Sequence, residues 1–399
     1  MAGKRGKNLS SGYSGAQIIN VAVDPSNPSL VYAAGRSGVW FSQDAGINWE
    51  GITDPGETKP VAGGECGAVA IDPKNNDHVI LSCYSGIMER PTSSNVWVHQ
   101  IHPPEIHPGI SEMEFAPSNP SFVYATSANH NTMIHGDIYE DGRGIMASID
   151  GGASWKVITG DLFKDAILTD VAVDPINEKV VYVASEIGLF KSSDGGASWI
   201  APSTFLDGKP VRTVAVDLSD SNHILAGVQN MGLFVSHDGG VNWQQVTAGL
   251  EPNGVPRDIV FDPTTKDTVF LGDIFSGVYV SRDGGERWQK LSNGITNRAV
   301  TSLALSSDGL HLYAGTSGGG VFRLDLNGQP PVSALGSNAT STVPEPNTSE
   351  TVTAIAPRSE PEIEPDSQKP IFPCLGTLLG LPLLVIGFSI NHYRKRNTL

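Results

Sequence analysis

Apolar residues in this chain come in short runs that return in a fixed order, each set off by turn-forming residues. Seven of them share one wording, and most end in Asp-Pro: Val21-Ala-Val-Asp24-Pro25, Val69-Ala-Ile-Asp72-Pro73, Met113-Glu-Phe-Ala116-Pro117, Val171-Ala-Val-Asp174-Pro175, Val214-Ala-Val-Asp217-Leu218, Ile259-Val-Phe-Asp262-Pro263 and Leu303-Ala-Leu-Ser306. After a polar turn, each is followed by a β-branched or aromatic run such as Val31-Tyr32-Ala33-Ala34 or Val181-Tyr182-Val183-Ala184. A glycine-containing turn then leads to a third run, as in Gly188-Leu189-Phe190-Lys191-Ser192, and a tryptophan begins a fourth. Runs of this length and composition, bounded by Gly, Pro, Asn and Asp, predict strands. The pattern predicts seven units of four strands, which we label a to d.

The turn between strands c and d carries the sharpest repeat, Ser-x-Asp-x-Gly-x-x-Trp, present in five copies around Asp44, Asp150, Asp194, Asp238 and Asp283. The last four tryptophans, Trp155, Trp199, Trp243 and Trp288, stand 44, 44 and 45 residues apart. A unit of that length cannot bury its own core and becomes stable only by stacking on its neighbours, so each is expected to be one blade of a propeller. Glycine supplies positive φ in such a turn and aspartate bonds the amides of its own loop, which makes the five aspartates structural. Unit two keeps Trp97 but lacks the Asp and Gly, and unit three carries an insertion from Ala128 to Gly142.

These residues resemble the Asp-box, or bacterial neuraminidase repeat, of sialidases, sortilin-type receptors, xyloglucan-cleaving glycosidases and photosystem II assembly factors. The resemblance covers about residues 6 to 327 and implies an all-β, seven-bladed propeller; it is weak for function, because the box occurs in enzymes and non-enzymes alike. The resemblance to sialidases stops at the repeat: Arg5 and Arg36 stand in unrelated contexts and no Arg-Ile-Pro segment is present. Xyloglucan-cleaving enzymes share more of the repeat wording, but they bind substrate between two propellers, and this chain has one. Photosystem assembly factors present a basic patch to their partner, which the acidic balance here does not support.

The seventh unit has strands at Leu303–Leu305, Leu312–Thr316 and Gly320–Asp325 but no Trp strand after them. Leu9-Ser10-Ser11-Gly12 matches Leu291-Ser292-Asn293-Gly294, so the segment from Gly6 to Ser10 is expected to supply the outer strand of the last blade and close the ring, with Gly6 standing where other blades carry Trp.

From Gly328 to Pro370 the chain turns rich in Pro, Ser, Thr and Glu, a composition that predicts a disordered stalk. Residues 371–390 carry no charge and are long enough to span a bilayer as a helix, and Arg394-Lys395-Arg396 follow, which predicts a basic cytoplasmic tail at 391–399 and a propeller displayed outside the cell. Met1 to Lys7 runs into blade sequence with no apolar signal region, so a tail-anchored protein with the propeller in the cytosol is the alternative. A net charge of -16 argues against nucleic acid as a partner. Cys66 and Cys83 lie on adjacent strands and fit either redox state.

In a propeller the loops from b to c and from d to the next a share the face opposite the Asp-box turns. Reading the residue before each a strand gives Asn20, Ala68, Glu112, Asp170, Thr213, Asp258 and Ser302. Asp170, Asp258 and Glu112 are the candidate catalytic carboxylates of a glycoside hydrolase, which needs one acid and one base or nucleophile; Arg212, Arg257 and Arg298 flank the same entries, where ion pairs that orient loops are the plainer reading. Loops contributing Arg36, Tyr84, Glu186, Gln229, Asn230, Asp273 and Phe275 complete the expected ligand-binding face. Five of the ten histidines fall between His99 and His135. Of these His102, His107, His130 and His135, with Asp137, are candidate metal ligands in chemistry though not in spacing, and solvated loops explain them as well. No other cofactor is implied. The expected function is a membrane-anchored module that binds a glycan or a protein, with glycoside hydrolysis as the alternative.

Overall fold

A computed structural model of the chain describes residues 7–8, 17–52, 66–83, 86–90, 97–99, 110–127, 133–134, 137–138, 144–158, 163, 166–291 and 299–326. All fall in the first of the chain's two units, Met1–Ala334. Seven antiparallel sheets carry the a strands Ile18–Val23, Cys66–Asp72, Ile110–Phe115, Leu168–Val173, Val211–Asp217, Pro256–Phe261 and Val300–Leu305. Each is followed in order by b and c, and in five blades by a d strand, so the seven-bladed, all-β propeller read from the repeat is what the chain forms. Six sheets have four strands; in blade four the fourth is reduced to the bridge between Lys191 and Ile200. The insertion of blade three holds a small hairpin, Met133–Ile134 with Asp137–Ile138.

Lys7–Asn8 pairs antiparallel with Arg323 and Phe322, so the chain start supplies the outer strand of blade seven and closes the ring as the repeat alignment predicts. The buried side chains form seven clusters, and each joins two neighbouring blades. One combines Tyr32 and Ile52 of blade one with Val69 and Leu81 of blade two, and another combines Ile18 and Val31 of blade one with Tyr313 and Val321 of blade seven. Cys66 and Cys83 face each other across strands a and b of blade two, are disulfide-bonded, and are buried in the first of these clusters.

The Asp-box turns are built as one unit. Ser42 Oγ donates to Asp44 Oδ1 at 2.8 Å, the Asn48 amide donates to the same oxygen at 2.8 Å, and the Gly46 amide donates to Ser42 Oγ at 2.8 Å. The same three bonds recur around Asp150, Asp194, Asp238 and Asp283, so each carboxyl ties together its own turn. The bonds from Ser198 and from the Asn242 amide hold the carboxyls of Asp194 and Asp238 down at about 2. The turn also reaches the preceding blade: Tyr182 Oη donates to Gly239 O at 3.2 Å, and Arg323 Nη1 donates to Ala45 O at 2.6 Å across the closure.

Four of the boxes place glycine at the first left-handed position (Gly151, Gly195, Gly239 and Gly284), whereas blade one has Ala45 at φ 57°. Ala45→Gly is expected to raise stability by about 0.5–1 kcal/mol, and Gly239→Ala to lower it by a similar amount, in denaturant titrations. Removing residues 1–12 is expected to lower the melting temperature by several degrees, because it leaves the edge of blade seven unpaired; an unchanged melting curve would show that the clasp is dispensable.

Candidate functional site

Every a strand carries a β-bulge near its start, between Ile18 and Asn20, Cys66 and Ala68, Ile110 and Glu112, Leu168 and Asp170, Val211 and Thr213, Pro256 and Asp258, and Val300 and Ser302. The residues read as preceding the strand therefore lie inside it. The bulge re-aims the side chain that follows, and Asn20, Glu112, Asp170, Asp258 and Ser302 line a central channel of about 430 Å³.

Most of these side chains bond the next blade. The Val69 amide donates to Asn20 Oδ1 at 3.2 Å, Val214 to Asp170 Oδ2 at 2.9 Å, Leu303 to Asp258 Oδ2 at 2.6 Å and Val21 to Ser302 Oγ at 3.1 Å. Glu112 departs from the pattern: Asn20 Nδ2 reaches past the small Ala68 and donates to both of its oxygens at 3.1 Å. Glu114 takes over the bond to blade four, accepting from the Val173 amide at 3.0 Å.

Four carboxyls, Glu112, Glu114, Asp170 and Asp258, thus line one narrow neck. Burial pushes Asp170 up to about 7, helped by the charge of Asp258, and pushes Asp258 itself up to about 6. Burial raises Glu114 to about 8 and Glu112 well above the usual carboxylate range, the latter reinforced by Asp170 and Asp258. Two of these a strands carry an arginine one residue before the inward-turned position, Arg212 before Thr213 and Arg257 before Asp258. Arg212 Nε donates to Gln229 Oε1 at 2.6 Å and Nη1 to Glu186 Oε1 at 3.3 Å, so Arg212 orients its own loops rather than pairing with Asp170. Arg257 is largely enclosed, its Nε is buried without a hydrogen-bond partner, and burial followed by the neighbouring Arg212 lowers its pKa.

The expected binding face is otherwise only partly as the sequence suggested. Phe275 stands 71% exposed in blade six, and Ile187 and Phe205 are half-exposed at blade four and the loop that follows it. Asp273 is not on the surface: it is buried beneath its turn, where Oδ1 accepts from the Phe275 and Ser276 amides at 2.9 and 2.8 Å. Asn230 holds the left-handed corner of the blade-five turn at φ 61°, and Arg36 anchors its loop through its amide on Gln17 O at 3.2 Å. Tyr84, Arg298, His102, His107, His130 and His135 lie outside the described residues, as does the side chain of Asp137; among the described residues no cluster of metal-ligating groups occurs. Residues 328–399 also lie outside, and no described helix is long and apolar enough to cross a membrane. Glu114 was missed by reading one position per strand, although the two-residue period of a strand puts it on the same face as Glu112.

A family model described as Sortilin, neurotensin receptor 3 matches residues 187–314, less than half of the chain. Comparison with curated proteins finds no match. Among solved structures, the chain is similar to YCF48 bound to D1 peptide (TM-score 0.59, 12% identity, covering 78% of this chain and 94% of that one). It is also similar to an ancestral GH74 enzyme (TM-score 0.63, 22% identity, 82% and 47%) and to the GH74 xyloglucanase from Xanthomonas campestris (TM-score 0.60, 16% identity, 78% and 52%). The chain spans about half the length of the GH74 enzymes. At these identities the likeness is one of fold, and with the five boxes it makes the chain a seven-bladed propeller of the Asp-box type.

A carboxyl whose pKa is raised on folding keeps its proton after the unfolded chain has ionised. The folded state then binds more protons, and stability falls as pH rises from about 4 to about 8. Glu112→Gln keeps the acceptor for Asn20 and removes the charge, so it is expected to stabilise the ring by about 1–3 kcal/mol more at pH 8 than at pH 5 in urea titrations.

Proposed function

We propose that the chain is a binding module that takes a protein ligand on the loop face, opposite the Asp boxes. The observation that carries this reading is the use of the channel carboxylates. Asp170 and Asp258 each accept a backbone amide of the following blade, so their first role is to hold the ring. The loop face instead offers what a contact surface needs: exposed or half-exposed apolar side chains, Phe275 on blade six and Ile187 on blade four, and a guanidinium, Arg257, whose Nε is not taken up by the ring. Aromatic and arginine side chains are the residues that most often anchor protein interfaces. YCF48, which this chain covers almost end to end, is seen with a peptide.

Anchoring through residues 371–390, with the propeller outside the cell, belongs to the same proposal. The buried Cys66–Cys83 disulfide supports it, since such bonds persist in oxidising compartments. The last described strand ends at Asp325 on the Asp-box face, opposite the proposed ligand surface.

Glycoside hydrolysis is the second reading, and one observation favours it: carboxyls pushed up to about 7 and about 6 are in the range a general acid uses. Selection of displayed peptides on the full chain, alongside reducing-end release from xyloglucan, separates the two. The expected outcome is peptides whose binding falls at least tenfold in Phe275→Ser and Arg257→Ala but not in Val241→Ser on the opposite face, with no sugar release. Hydrolysis lost in Asp170→Asn with folding intact would overturn the binding reading.

A further inference from the structure

A second cavity, of about 120 Å³, opens between the loops of blades five and six. Its walls are apolar, formed by Met231, Leu250, Pro252 and Leu271 among others. Its floor is not. Tyr279 is 1% exposed, lines the cavity, and its Oη has no hydrogen-bond partner. A buried hydroxyl without a well-placed partner is destabilising, so the spot can take a further polar group.

The charge around that hydroxyl is negative. Asp273 Oδ1 is used by its own turn, while Oδ2 points toward Gly254 at the cavity wall, 2.8 Å from where a Cβ there would stand. Glu251 lines the mouth. Neither carboxylate has an ion-pair partner among the described residues, and Lys290 lies over the face of the Tyr279 ring, 5.8 Å from its centroid, rather than in the cavity. Burial raises the Tyr279 hydroxyl, opposed by the nearby Ser276 side chain and reinforced by the charges of Glu251 and Asp273, so it stays protonated and can both donate and accept.

We propose that this cavity is a lysine pocket, the place where the protein ligand of the loop face inserts one lysine side chain; the inference rests on that reading of the face. The four methylenes lie along Met231, Leu250 and Pro252, and the ammonium meets Asp273 Oδ2, Tyr279 Oη and Glu251. Size agrees: cavities of about 150 Å³ accept benzene, and a lysine side chain has five heavy atoms. Charge agrees as well, since long cationic side chains bury an apolar stem and keep the head among acceptors. An arginine fork demands planar, paired acceptors, whereas a single carboxylate oxygen beside a hydroxyl suits a compact ammonium.

The test uses the full chain and two probes, Nα-acetyl-lysine methylamide and Nα-acetyl-norleucine methylamide, followed by nuclear magnetic resonance shifts. The lysine probe is expected to saturate with a dissociation constant of about 1–10 mM and the norleucine probe to bind at least tenfold more weakly. Tyr279→Phe, which keeps the ring, is expected to weaken the lysine probe about threefold to tenfold, and Leu250→Trp, which fills the cavity, to abolish its binding. Equal binding of the two probes, no binding of either, or unchanged binding in Leu250→Trp would overturn the pocket. If the lysine probe fails while selected peptides still depend on Phe275, the pocket falls and the loop-face reading stands; if the probe binds and no peptide depends on Phe275, the reverse holds.

Discussion

A blade of this protein has no core of its own. The seven buried clusters all lie between blades, so each sheet is stable only while the sheets on both sides remain in place. An open row of such sheets would end in two exposed apolar faces, and the remedy is a closed ring. Closure joins the first residues of the chain to the last strand through Lys7–Asn8, and through Thr301 Oγ1, which donates to Ile18 O at 2.7 Å. The seam between blades seven and one is therefore held by the same kinds of contact as the other six.

The inner edge of the ring obeys a second constraint. Seven a strands converge there with no further strand to pair with, and their first amides need acceptors that a neighbouring strand cannot supply. A bulge repeated in all seven blades turns one side chain inward, and in four of them, at Asn20, Asp170, Asp258 and Ser302, it accepts from the next blade. Acceptors brought together around a narrow neck repel one another when they are acids. The raised pKa values of Glu112, Asp170 and Asp258 follow from burial, joined at Glu112 and Asp170 by that crowding, before any question of chemistry arises.

Much of this was legible in the chain. The spacing of Trp155, Trp199, Trp243 and Trp288 and the apolar runs ending in Asp-Pro carry the blade count and strand order, because both repeat locally within one unit. The match of Leu9 to Leu291 carried the closure for the same reason. The bulge was not legible, since nothing in the residues around Asn20 or Asp170 distinguishes a position before a strand from one inside it. Nor was the reach of Asn20 across Ala68 to Glu112, which depends on three blades meeting at one point. Asp273 was placed on the surface because its loop is exposed, whereas its own turn bonds pull it inward. The cavity by Tyr279 draws its walls from two blades and shows in neither one's sequence.

The acids of the neck exceed what the ring requires. Asn20 and Ser302 accept the next blade's amide as neutral groups, without the cost of confining a charge, so an amide or a hydroxyl at the other positions would serve closure as well. What a carboxylate adds is its field. Asp170 and Asp258 favour the charged form of Arg257, against the burial and the neighbouring Arg212 that disfavour it. They do so through their charge, and the Arg257 Nε has no hydrogen-bond partner. An arginine paired directly with a carboxylate would be equally charged but already occupied, as Arg212 is by Glu186 and Gln229. The neck thus favours a charged guanidinium at Arg257, which a ring of neutral acceptors would not do.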